Sequence, residues 1–129
     1  MADLEALVAQ ARTVAQRAYA PYSHFRVGAA VSDADGSVFV GCNVESASYG
    51  LTMCAERNAI FCAIANGGRR PFAALAVACV DATGACTPCG ACRQVIVEHC
   101  TPEAPIAIDG GGEYTAAELL PWAFKLPPA

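Results

Sequence analysis

Two short segments hold residue types able to do chemistry: Cys54-Ala55-Glu56 and Pro88-Cys89-Gly90-Ala91-Cys92. Thr87-Pro88 reads as a helix start, since threonine is a favoured cap and proline a favoured first residue. Cys89 and Cys92, three apart, then share one helix face. Cys89 falls in the first turn, where free N–H groups and the helix dipole favour a thiolate. Cys54 takes the same place in a second helix if Thr52 caps it. Three thiolates can therefore converge from two helix N-termini. Zinc takes four protein ligands in structural sites, but three plus water in catalytic ones. Three cysteines, with a carboxylate two residues after the first, point to a catalytic site. Glu56 serves there as the base, not as a ligand.

Other readings compete at this point. A lone C-x-x-C is often a bland pair of small helical residues. Cys-Gly-x-Cys also resembles a dithiol redox centre, which leaves Cys54-Ala55-Glu56 unexplained. Cys86, Cys89 and Cys92 begin an iron–sulfur spacing, but position 96, where the pattern needs a cysteine, is Ile96. A structural zinc module needs a fourth ligand and has no use for Glu56.

The elements that position these segments follow from the surrounding pattern. The chain has 129 residues and reads as a single domain, 1–129. Apolar residues make up 55% and charged residues 16%, which excludes intrinsic disorder. The net charge of −4 argues against a polymer of nucleic acid as partner. Pro71 to Val80, the longest uncharged apolar block, is about half of the ~20 residues that span a membrane. Asp3 and Glu5 stand where a leader would be basic, so a cytoplasmic protein is expected. Eight cysteines in such a compartment are not a disulfide framework.

Helical spacing of Leu4, Leu7, Val8, Ala11, Val14, Ala15 and Ala18 predicts an amphipathic helix over 3–18. Val27 to Ser32 and Val38 to Cys42 flank Asp33-Ala34-Asp35-Gly36 as a hairpin. Thr52 to Asn66 reads as a buried helix stopped by Gly67-Gly68. Ala73 to Val80 reads as a buried strand, 87–99 as a helix, and Ile106 to Ile108 as a last strand. Thr115 and Glu118 form a capping-box pattern before a short helix. An antiparallel pair followed by strand–helix alternation predicts an α/β fold, a mixed sheet with helices on its faces.

The C-x-E and P-C-x-x-C pair resembles the signature of zinc-dependent nucleobase deaminases. The likeness extends to Ala20 through Ala30, Gly41 through Arg57, Pro88 through Val95, and Leu119 through Phe124. Together these are similar to the cytidine deaminase family, specifically its small homotetrameric form. The resemblance implies a three-layer α-β-α sandwich and hydrolytic deamination of cytidine and deoxycytidine in pyrimidine salvage. A relative acting on another aminopyrimidine nucleoside stands as the alternative. It implies one Zn²⁺ per chain on Cys54, Cys89 and Cys92, with Glu56 as proton shuttle. Asn43 and Glu45 match an Asn-x-Glu that binds the ribose, and Phe25 a ring that packs on the pyrimidine. The main chain at Ala55 faces the base. Tyr49 matches a residue near the subunit contact, and Phe124 one that enters a neighbouring subunit's site. Three thiolates and Zn²⁺ total −1, which opposes ionising a water. Arg57 and Arg93 are therefore expected to donate to the sulfurs. His24 and His99 are not needed, and Cys86 stands close enough in sequence to compete for the metal.

Overall fold

The computed structural model describes residues 3–128, so Met1, Ala2 and Ala129 of the expected 1–129 domain lie outside the described residues. The order is α1 (Leu4–Ala15), β1 (Val27–Ser32), β2 (Val38–Cys42), a 3₁₀ turn (Tyr49–Leu51) and α2 (Ala55–Ala65). Then come β3 (Ala74–Cys79), α3 (Gly90–His99), β4 (Pro105–Ile108), β5 (Gly112–Thr115) and α4 (Ala116–Leu119). The sheet runs β2-β1-β3-β4-β5; only β3 and β4 are parallel.

Strand alternation sends side chains to two different covers. Ala29, Val31, Leu75, Val77, Ile106 and Ile108 face α2 and α3 and meet Ala59, Ile60 and Ile96. Ala30, Ala74, Ala76, Ala78 and Ala107 face α1 and meet Leu7 and Ala11. The result is the expected three-layer α-β-α sandwich. The face under α1 is built of small residues, so that helix rides close. A Cβ on Gly28 would stand 1.9 Å from the Ala11 carbonyl oxygen.

Several expected boundaries move, each for a local reason. The α-helix ends at Ala15, and residues 16–18 continue only as turns bonded three residues back. That is 3₁₀ tightening of a helix end. Thr52 is not the cap of α2: Cys54 is, and the Thr52 hydroxyl accepts from the Ser46 N–H at 3.0 Å instead. Thr87 is not the cap of α3 either. Cys89 takes that place, and Thr87 Oγ1 accepts from Arg93. The capping box at Thr115 and Glu118 forms as expected. Strand β5 was not expected. It pairs along β4 through Asp109-Gly110-Gly111, with Gly110 and Gly112 at positive φ. It is an edge strand whose four residues carry one large apolar side chain, Tyr114, so it has no alternation to read.

Candidate active site

Helices α2 and α3 both begin at a cysteine, and neither Cys54 nor Cys89 makes a side-chain cap hydrogen bond. Their sulfurs turn instead toward one point. The Sγ atoms of Cys54, Cys89 and Cys92 lie within 4.8 Å of one another. Cys92 comes from the first turn of α3, so the free N–H groups of two helix starts surround the cluster. Arg57 stands one turn after Cys54, and its Nη2 donates to Cys54 Sγ at 3.3 Å. Its Nε is buried without a partner. Cys54 ionises before Cys92. The hydrogen bond from Cys92 and then Arg57 hold its pKa down to about 5. The same hydrogen bond, with burial, pushes Cys92 up. Metal ligation needs thiolates, and three soft sulfurs with a cation beside them fit zinc in a site with a fourth position left open.

Glu56 lies in the first turn of α2 and is only 5% exposed. Burial pushes its carboxyl above the ordinary carboxylate range. Glu56, Cys54 and Ala55 line a cavity of about 410 Å³. Phe25, Asn43 and Glu45 line the same cavity. The structure therefore brings six of the sequence-derived residues into one cavity, and Cys54 joins it to the sulfur cluster. Ser23, Val27, Thr52, Val77, Cys79, Cys86 and Thr87 complete the walls, and none of them is an expected substrate contact. Val77 and Cys79 come from β3, whose end pairs with Val27 of β1, while Cys86 and Thr87 come from the segment that leads to Cys89.

Asn43 and Glu45 carry a second duty. Asn43 Oδ1 accepts from the Val27 N–H at 2.8 Å, and its Nδ2 donates to the Phe25 carbonyl at 2.8 Å. Glu45 accepts from the N–H groups of Tyr22 and Ser23 at 3.0 and 3.1 Å, and from the Ser23 hydroxyl. The Ser23 hydroxyl bond leads in holding the Glu45 carboxyl below its usual range. Both side chains thus shape the loop that presents Phe25, and each keeps unused capacity. Asn43 has a second Nδ2 hydrogen, and a carboxylate offers about four acceptor sites.

The expectation for Arg93 is corrected. Its Nε donates to the Pro88 carbonyl at 2.7 Å, Nη1 to the Leu119 carbonyl at 3.1 Å and Nη2 to Thr87 Oγ1 at 3.0 Å. It ties down the segment before Cys89 and makes no bond to a sulfur. Cys86 shares the cavity and stands outside the sulfur cluster. Tyr49 and Phe124 are exposed and do not line the cavity within one chain. Tyr49 packs edge-on to Tyr22, with ring centroids 6.4 Å apart. The Phe124 carbonyl accepts from Gln94 Nε2 at 2.9 Å. His99 accepts from Arg70 Nε through Nδ1, away from the cavity.

Known proteins share this arrangement of chain and fold. A family model described as the cytidine and deoxycytidylate deaminase zinc-binding region matches residues 1–108. The cytidine deaminase of Sporosarcina psychrophila is 47% identical over 127 residues, covering 95% of this chain and 92% of that protein. The crystal structure of cytidine deaminase from Burkholderia pseudomallei is similar with a TM-score of 0.86 at 46% identity. The match covers 95% of this chain and 99% of that one. The structure of cytidine deaminase from Mycobacterium tuberculosis gives 0.86 at 42% identity, over 98% and 100%.

Proposed function

As the chain belongs to the cytidine and deoxycytidylate deaminase family, we propose that it hydrolyses cytidine and deoxycytidine to uridine and deoxyuridine, releasing ammonia. The observation that carries this reading is the three-sulfur cluster with Glu56 on the wall of the same cavity. Zinc held by Cys54, Cys89 and Cys92 supplies Lewis acidity, which brings the pKa of a water toward about 7 in favourable sites. Glu56 is the proton carrier. A carboxylate oxygen of Glu56 accepts a proton from the attacking water and passes it to N3 of the cytosine. It then takes the second proton of that water from the new C4 hydroxyl and hands it to the departing amino group, which leaves as ammonia while the C4 carbonyl of uridine forms. Its burial raises its pKa toward the working pH, where a carrier both takes and gives protons readily.

The remaining residues bind and orient. Phe25 packs on the pyrimidine, the Ala55 main chain faces the base, and Asn43 and Glu45 use their remaining capacity on ribose hydroxyls. A site built to bond a hydroxyl discriminates strongly against ligands that lack it. Tyr49 and Phe124 act across subunit contacts of a homotetramer. Tyr49, Leu51, Trp122, Phe124 and Leu126 are exposed apolar side chains that association would cover. No helix among the described residues is long and apolar enough to cross a membrane. Eight unpaired thiols suit a reducing cytoplasm, where pyrimidine salvage takes place.

The test is direct. Purified protein given cytidine shifts its absorbance to that of uridine, stops after zinc is chelated, and resumes when zinc is returned. Protein that holds zinc tightly and leaves both nucleosides unchanged would overturn the reading. Arg57→Gln removes the cation bonded to Cys54 and leaves the sulfur set more negative. Turnover is expected to fall about tenfold, the loss of one charge-assisted hydrogen bond. A wild-type rate and an unmoved pH–rate profile would remove Arg57 from the mechanism.

A further inference from the structure

Phe25 reaches the cavity from the loop that leads into β1, and the residue after it makes an unusual set of bonds. Arg26 Nε and Nη2 grip the two oxygens of Asp81 at 2.9 and 2.8 Å. The Arg26 backbone N–H adds a third bond to Asp81, at 2.8 Å. Arg26 Nη1 donates to Gln16 Oε1 at 2.8 Å, just past α1. In return the Arg26 carbonyl accepts from the Val80 N–H at 3.2 Å. The β1–β3 ladder ends at Val27 opposite Cys79. The pair therefore latches the ladder one step beyond its last rung, at the end that opens on the cavity.

Both sides of the latch lead to cavity walls. On one side, Arg26 follows Phe25. On the other, Asp81 begins the segment that carries Cys86 and Thr87 to the cavity and Cys89 to the sulfur cluster. The side chains are 39% and 26% exposed. An ion pair so placed adds little to stability. A bidentate guanidinium–carboxylate fork does fix geometry, since two parallel bonds set angle as well as distance.

We propose that the Arg26–Asp81 latch is a positioning device of the nucleoside cleft, joining the two walls that Asn43, Glu45 and Arg93 hold separately. It holds Phe25 on one wall and the 81–89 segment on the other, and so sets substrate affinity while leaving proton transfer to Glu56 alone. The proposal rests on the deaminase reading for its substrate, and its test separates the two. Arg26→Gln and Asp81→Asn are each expected to raise KM for cytidine about fivefold, with kcat within about twofold and zinc content unchanged. The double variant should be no worse than the worse single one, because both remove the same bond. Arg26→Lys keeps the charge and loses the fork, so it should recover only part of the affinity. Amide hydrogen exchange of 23–27 and 82–87 should quicken in both single variants while the sheet core stays protected. Unchanged exchange overturns the proposal, and so does a fall in kcat with KM unmoved. A wild-type protein inactive on cytidine would count against the deaminase reading. The exchange result would then decide the latch by itself.

Discussion

Glu56→Gln is expected to keep its zinc and to lose nearly all turnover. The amide has the size and shape of the carboxyl it replaces, so the first turn of α2 and the neighbouring Cys54 are undisturbed. What changes is that the side chain no longer takes up or releases a proton. General acid–base catalysis contributes about 10²–10⁴-fold for one positioned group. Glu56 is asked to serve twice in each cycle, so a loss near the upper end, about 10⁴-fold in kcat, is expected. The buried position strengthens the expectation. At 5% exposure the carboxyl is shut away from bulk water, so buffer ions have poor access to stand in for it. The check is kcat on cytidine beside zinc stoichiometry. A variant that turns over within tenfold of wild type, with zinc bound, would take Glu56 out of the proton path. A variant that loses zinc would instead make Glu56 part of the metal site.

The site was legible in the sequence where chemistry restricts both residue type and spacing. Cys54, Glu56, Cys89 and Cys92 belong to that class, and the structure brings all of them together. The helix starts were not legible. Thr52 and Thr87 have the right type to cap, but a tertiary partner claims each hydroxyl: the Ser46 N–H for one, Arg93 for the other. Caps are local, and a competing partner several residues away does not show in a local pattern. The two arginines divide on competing partners, not on spacing. Arg57 comes three residues after Cys54, one turn on, and reaches back to its sulfur. Arg93 comes four residues after Cys89, also one turn on, but carbonyl and hydroxyl oxygens claim its guanidinium. Its guanidinium ends on Pro88, Thr87 and Leu119. The loop-holding bonds of Asn43 and Glu45 were hidden for another reason. Apart from the Ser23 hydroxyl, their partners are backbone groups of 22–27, some twenty residues earlier, and backbone groups leave no mark in composition.

Gly41→Ala is expected to cost stability and zinc together. Gly41 lies in β2 opposite Ala29, directly under α2. An added Cβ would stand 2.3 Å from the Ala59 nitrogen, 2.7 Å from the Asn58 carbonyl carbon and 2.9 Å from the Ala55 oxygen. All three are helix backbone, so no side chain can rotate away. Unstrained contacts lie near about 3.5 Å, so α2 must retreat by roughly 1 Å. Overpacking of this kind costs about 1–3 kcal/mol, and backbone contact puts it at about 3 kcal/mol. For a chain of this size that lowers Tm by roughly 10 °C. The same retreat carries Cys54, at the start of α2, away from Cys89 and Cys92 on α3. Metal sites tolerate about 0.2 Å in ligand distance, so zinc affinity and turnover should fall with Tm. Gly28→Ala is the control. Its Cβ would strike α1 at 1.9 Å, on the face of the sheet away from the metal. It should lose at least as much stability while the surviving folded protein keeps its zinc. Native zinc affinity in folded Gly41→Ala would mean that α2 and α3 shift as one body, and that the sheet does not set the spacing of their sulfurs.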